Sequence, residues 1–205
     1  MTDNQAAPFP SPEQRGLYVG LTVNGQTGAM TSFFTKLPGS YGNPIDPGTA
    51  HITMLEPAES AIDVWTDRGL GALGRAEGEI ARYLGSMPLS ELVLSPDGDS
   101  LAKFKRHIGI PVVKSAFLEG MRTHIGEVVK KELKVTIPAQ DKFKPHLSVT
   151  RIRRGKPKIR PHFPQAPSRI HVKGYRIGQD VLSHQASRSR SKQPYRNQPG
   201  SHRHR

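Results

Sequence analysis

Two four-residue segments of this chain repeat one chemical pattern. His51-Ile52-Thr53-Met54 and His146-Leu147-Ser148-Val149 each read imidazole, apolar, hydroxyl, apolar, and their histidines lie 95 residues apart. In extended backbone, successive side chains alternate between faces. Each segment therefore sets its histidine and hydroxyl on one face and its apolar residues on the other. Histidine titrates near neutrality, so one neutral and one protonated imidazole can coexist at the same pH. That combination suits phosphodiester cleavage, which needs a base for the attacking oxygen and an acid for the leaving oxygen. Thr53 and Ser148 are the candidate donors to the non-bridging phosphate oxygens. Arg151, five residues after His146, is the candidate cation, because a guanidinium matches phosphate in a bidentate manner and opposes charge that builds in the transition state. Unbroken alternation puts Arg151 on the face opposite His146, so a bulge or a strand end is needed to turn it inward.

The elements that must hold these residues are legible as patterns. Residues 16–23 (GLYVGLTV) have the β-branched and aromatic content of a buried strand, and 49–55 (TAHITML) form a short strand carrying the first motif. Between them, 24–48 read as a long loop rich in Gly, Asn, Ser and Pro, a length often tied to function. Its Phe33, Phe34 and Tyr41 offer aromatic surface, with the two phenylalanines expected to pack down onto the domain. Residues 60–84 read as a helical region weakened by Gly69, Gly71, Gly74 and Gly78. A strand is expected at 89–94, a turn at 95–100, and a strand pair over 101–106 and 108–113. The clearest helix is 114–133, where Phe117, Met121, Ile125, Val128, Val129 and Leu133 recur at three- and four-residue spacing, with Lys130, Lys131 and Lys134 suiting its C-terminal dipole. A strand over 145–152 carries the second motif, and 168–177 alternate as a last strand. Residues 1–15 and 183–205 have almost nothing to bury and read as disordered, which leaves one domain over 16–182.

The paired HITM and HLSV segments, with FKPHLSVTR around the second, resemble the 2H phosphoesterase superfamily, which includes 2′-5′ RNA ligase-like and cyclic phosphodiesterase-like proteins. The resemblance extends from about Gly16 to Gln179. It implies an α+β fold of two lobes, with antiparallel sheets lining a central groove and helices outside. It also implies metal-independent acid/base catalysis on 2′,3′-cyclic or 2′-5′ phosphodiesters, with His51 and His146 as the acid/base pair and Thr53 and Ser148 as phosphate-binding hydroxyls. The chain departs from the pattern at Glu56-Pro57, where an apolar continuation is common, in the long 24–48 loop, in the glycine-rich region after His51, and in its basic end.

Composition bounds the remaining possibilities. With no cysteine, the chain has no disulfide, no thiolate nucleophile and no Cys-based metal site. No HExxH or paired acidic cluster is present, so neither a metal nor another cofactor is expected. The glycines of GLGALGRAEG do not follow a strand and are no dinucleotide fingerprint. His107, His124, His162, His171 and His184 lack a repeated context and read as surface or structural. Glu56 and Glu59 could orient a histidine, but capping or exposure accounts for them more simply. The net charge of +13 is concentrated: residues 142–205 hold 17 Lys/Arg and one acid, Asp180. That end of the chain is offered to a polyanion such as nucleic acid. No long apolar run or signal-like segment is present, and a cytoplasmic monomer acting on RNA or nucleotides, with no membrane partner, is expected. Two alternatives share the same groove: a non-catalytic RNA- or nucleotide-binding protein using the basic tail, and an enzyme for cyclic oligonucleotide signals.

Overall fold

The computed structural model describes residues 13–24, 27–37, 42–64, 67–95, 102–104, 107–151 and 166–182. Nine strands and three α-helices occur among them, in the order β1 (Glu13–Val23), α1 (Gly28–Thr35), β2 (Asn43–Pro44), β3 (His51–Leu55), β4 (Ile62–Val64), α2 (Asp67–Ser86), β5 (Glu91–Val93), β6 (Ala102–Phe104), β7 (His107–Pro111), α3 (Ala116–Leu133), β8 (His146–Arg151) and β9 (Arg169–Leu182). The strands run in the order β5-β9-β1-β3-β8-β7-β6, with β2 alongside β8 and β4 alongside β1. All pairings are antiparallel. The fold class is therefore α+β. The register pair Ile52 with Leu147 joins a half built from β5, β9, β1 and β3 to a half built from β8, β7 and β6. A bridge between Leu94 and Val112, flanked by the Val113 N–H to Val93 carbonyl bond, joins them again beyond β5 and β7.

One face of this sheet is apolar. Leu17, Val19 and Leu21 of β1, Ile52 and Met54 of β3, Ile108 and Ile110 of β7, and Leu147 and Val149 of β8 are all buried. The stripes of α2 (Leu73, Ala76, Ile80, Leu84) and α3 (Leu118, Met121, Ile125, Val128, Val129) complete the core on that side, as the three- and four-residue spacing requires. The glycines of α2 do not break it, because Gly74 and Gly78 lie on its exposed side, where an added Cβ would meet nothing within 4 Å.

Several elements differ from the sequence expectation. β1 begins at Glu13, three residues before the expected strand, because residues 13–15 pair with β4 and residues 14–15 with β9. The stretch 24–48 is not a plain loop, since Thr27 caps α1, and Phe33 and Phe34 enter the core. β4 occupies the start of the expected helical region. Ser115 caps α3, which ends at Lys134 in the left-handed conformation with φ 61°. Tyr41, most of the 95–100 turn and the basic segments 152–165 and 183–205 lie outside the described residues. Among the described residues no helix is long and apolar enough to cross a membrane.

Candidate active site

The large apolar residue at the second position of each motif requires only that Ile52 and Leu147 share the core face. The strands β3 and β8 pair with Ile52 opposite Leu147, each fully buried. Continuing that antiparallel register puts His51 opposite Ser148 and Thr53 opposite His146. Directly opposed residues share a face, so both histidines and both hydroxyls stand together on the face turned away from the core. Each histidine has the other strand's hydroxyl as its neighbour, in an approximately two-fold arrangement about the Ile52–Leu147 pair. Diagonal positions of an antiparallel pair lie about 7–8 Å apart, a gap suited to a group held between two imidazoles.

The imidazoles are fixed in the same way. His51 Nδ1 lies 2.9 Å from the Thr49 carbonyl oxygen, and His146 Nδ1 lies 2.9 Å from that of Lys144. A carbonyl only accepts, so each Nδ1 carries the proton and each Nε2 is the basic nitrogen of the neutral ring. Burial lowers the pKa of His146, and the His51 charge adds to the lowering; the Lys144 hydrogen bond and the Glu56 carboxylate act against it.

Arg151 reaches the histidine face through a break in β8. On β7, Pro111, Gly109 and His107 alternate toward that face, while Ile110 and Ile108 point to the core. Pro111 pairs with His146 and Gly109 with Ser148, but Ile108 pairs with Thr150 and His107 with Arg151. β8 thus carries one extra residue at Val149, and Val149 and Thr150 are both buried. This bulge resets the alternation and places Arg151 beside His107 on the groove side. Electrostatics agree: burial first, then the charges of Arg151, His146 and His51, lower the pKa of His107, against a smaller raising effect of Glu56. On its other side Arg151 pairs with Asn43 of β2.

Three further residues share the groove although neither motif contains them. His107 is one; its context in the sequence carries no repeat, and its position follows only from the β7–β8 register. Tyr18 is the second. It shares a side-chain hydrogen bond with Thr53, and its ring meets that of His51 edge to face with centroids 6.1 Å apart. Burial, above all, raises its pKa, so the phenol is a stable proton donor. Gly20 makes room for it, since a Cβ there would lie 2.5 Å from Tyr18 Oη. Arg176 of β9 is the third, with its guanidinium 5.9 Å from the Tyr18 ring centroid. Strand alternation from the GLYVGLTV segment could have flagged Tyr18, which lies two residues before Gly20 and four before Thr22, the partner of His51.

Glu56 and Glu59 cap the turn after β3 reciprocally, each side chain accepting from the other's backbone N–H. The Glu59 carboxylate is in turn gripped by Arg122 of α3 at 2.9 and 3.1 Å. Arg122 is 2% exposed, also donates to the Met54 carbonyl oxygen, and lies 5.0 Å from the Phe143 ring centroid. A buried cation thus ties the end of the first motif strand to α3 and to the segment leading into the second.

No family model matches the sequence, and no curated protein matches it at a significant level. Solved structures do resemble the fold. LigT of E. coli in complex with 3′-AMP matches with a TM-score of 0.53 at 14% identity, over 83% of this chain and 96% of that one. A protein of Thermus thermophilus matches with a TM-score of 0.52 at 17% identity, over 82% and 94%. A structure described as a phosphoesterase matches with a TM-score of 0.51 at 12% identity, over 83% and 94%. The strand order, the outer helices and these structures agree that the chain has the 2H phosphoesterase fold.

Proposed function

We infer that the groove between β3 and β8 is the active site of a metal-independent phosphodiesterase or 2′-5′ RNA ligase-like enzyme, acting on 2′,3′-cyclic phosphate or 2′-5′ phosphodiester bonds of RNA or nucleotides. The observation that carries this reading is the matched pair of imidazoles, each with Nδ1 tied to the carbonyl two residues before it. Both basic nitrogens are thereby oriented before substrate arrives, which is the geometry two-histidine acid/base chemistry requires. That the E. coli neighbour was solved with 3′-AMP is in keeping with a nucleotide in this groove.

In hydrolysis of a 2′,3′-cyclic phosphate, the neutral histidine accepts a proton from water as its oxygen forms the new bond to phosphorus. The bond from phosphorus to one ribose oxygen breaks, and the protonated histidine gives that oxygen its proton. The lowered pKa of His146 suits it to the base role, leaving His51 as the acid; the roles exchange in ligation. Thr53 and Ser148 donate to the non-bridging oxygens, and Tyr18 orients the Thr53 hydroxyl. Arg151 opposes the charge that grows on the phosphoryl oxygens.

The test is turnover of 2′,3′-cyclic nucleotides, 2′-5′ oligoadenylate and cyclic oligonucleotides in EDTA. Cleavage of one of the first two is expected, with the third as the competing substrate class. Absence of turnover on all three, or full activity in either His51→Ala or His146→Ala, would refute the reading.

A further inference from the structure

Arg176 extends the groove beyond the two histidines. Its partner across β9–β1 is Gly20, whose partner across β1–β3 is Thr53. Direct partners share a face, so Arg176, Gly20 and Thr53 form one row that continues to His146. Two interstrand spacings, about 10 Å, separate the backbone of Arg176 from that of Thr53. Nothing projects from Gly20 between them, and the Tyr18 ring fills that space, hydrogen-bonded to Thr53 at one end and facing the Arg176 guanidinium at the other. Arg176 is exposed, and among the described residues no carboxylate forms an ion pair with it. Asp180, also exposed and on the same side of β9, is near enough to affect Tyr18 but is not bonded to the guanidinium.

A cation whose close contact is an aromatic ring keeps its hydrogen-bond donors available. A phosphate held between the histidines touches Thr53, Ser148 and Arg151 and leaves Arg176 without an anion. The nearest anionic group that a nucleic-acid substrate brings to that side is its next phosphate. We propose that Arg176, laid over Tyr18, is the subsite for the phosphate adjacent to the scissile one, so that the substrate is an oligonucleotide chain rather than a nucleoside cyclic monophosphate. This rests on the phosphoesterase reading above and narrows its substrate class. The subsite selects by charge and not by base, because a guanidinium on phosphate carries no sequence information.

The experiment compares a nucleoside 2′,3′-cyclic monophosphate with a trinucleotide ending in a 2′,3′-cyclic phosphate, and with the same trinucleotide bearing a neutral methylphosphonate at the adjacent linkage. Arg176→Ala should lower kcat/KM on the charged trinucleotide about tenfold, as expected for one charge-assisted contact. Its effect on the monophosphate and the methylphosphonate should be at least fivefold smaller. It should also reduce the salt dependence of trinucleotide binding by about 0.7 in log–log slope. Arg169→Ala removes a charge from the same strand outside the groove and should affect all three substrates alike. Equal losses on all three substrates in Arg176→Ala would mean that the guanidinium only supports Tyr18, and no loss on any would mean that it does nothing; either overturns the proposal. Binding of an uncleavable trinucleotide 3′-phosphate, read by anisotropy, separates the two failures. A wild-type protein that binds it through Arg176 but cleaves nothing refutes the phosphoesterase reading alone, and one that does not bind it refutes both.

Discussion

At the scale of residues, the proposed mechanism makes the imidazoles the determinants of both activity and acid sensitivity. His51→Ala and His146→Ala should each lower kcat by at least about 10²-fold with the circular dichroism spectrum unchanged, because the apolar neighbours Ile52 and Leu147 hold the strands in place. The pKa of His146 and that of His107 are both lowered in the folded state. In the unfolded chain each titrates near about 6.5, so below that pH the unfolded state binds more protons. Stability should therefore hold above about pH 6.5 and decline as the pH falls below it, which chemical denaturation across pH 4–8 would measure. A double His107/His146→Ala variant should flatten that dependence. Glu56 raises the pKa of His146. Glu56→Gln should thus shift the acid limb of the kcat/KM profile to lower pH, and a shift in the opposite direction would remove Glu56 from the site's electrostatics.

At the scale of elements, glycine positions separate structural from functional constraints. A Cβ at Gly16 would sit 1.9 Å from the Pro57 carbonyl oxygen, and backbone has no rotamer to escape into. Gly16→Ala should cost about 2 kcal/mol or more, seen as a lowered Tm. At Gly20 the obstacle is the far end of the Tyr18 side chain, which can swing away. Gly20→Ala should leave stability nearly intact and lower activity severalfold by breaking the Tyr18–Thr53 bond. Gly74→Ala and Gly78→Ala, on the open face of α2, should each stabilise by about 0.5–1 kcal/mol. The β8 bulge belongs to the same scale. Strand alternation alone sends Arg151 away from the histidines, and one extra residue at Val149 brings it back.

At the scale of the whole molecule, the halves carrying the two motifs meet at the Ile52–Leu147 pair and at the Leu94–Val112 bridge, and the Arg122 network reinforces the first of these seams. Arg122→Ala would leave the three-quarters-buried Glu59 carboxylate without its partner and should cost about 2–4 kcal/mol. It should also reduce activity more than an equally destabilising change elsewhere in α3, because it loosens the end of β3. The charge imbalance acts over a longer range. Truncation after Leu182 removes a segment with six Lys/Arg and no acid. RNA binding should weaken and lose part of its salt dependence, while turnover of a small cyclic nucleotide stays the same. A matching loss of both would tie the tail to the groove itself.

The sequence by itself determined the local facts: which strands alternate, which helical stripes are buried, and that two strands carry histidine and hydroxyl on one side. These follow from short-range periodicity, which a hydrophobic core enforces residue by residue. The β3–β8 register was narrowed only to its parity, since any pairing that keeps Ile52 and Leu147 on one face also buries Met54 and Val149. Tertiary structure alone decided which strands adjoin, and with it the company the motifs keep. His107, Tyr18 and Arg176 come from β7, β1 and β9, far apart in the chain; the alternation of β1 marks a face for Tyr18, and no local pattern marks the other two. Arg151 shows the boundary most clearly, because its identity and spacing are local, whereas its direction depends on a bulge that exists only in the pairing of β8 with β7.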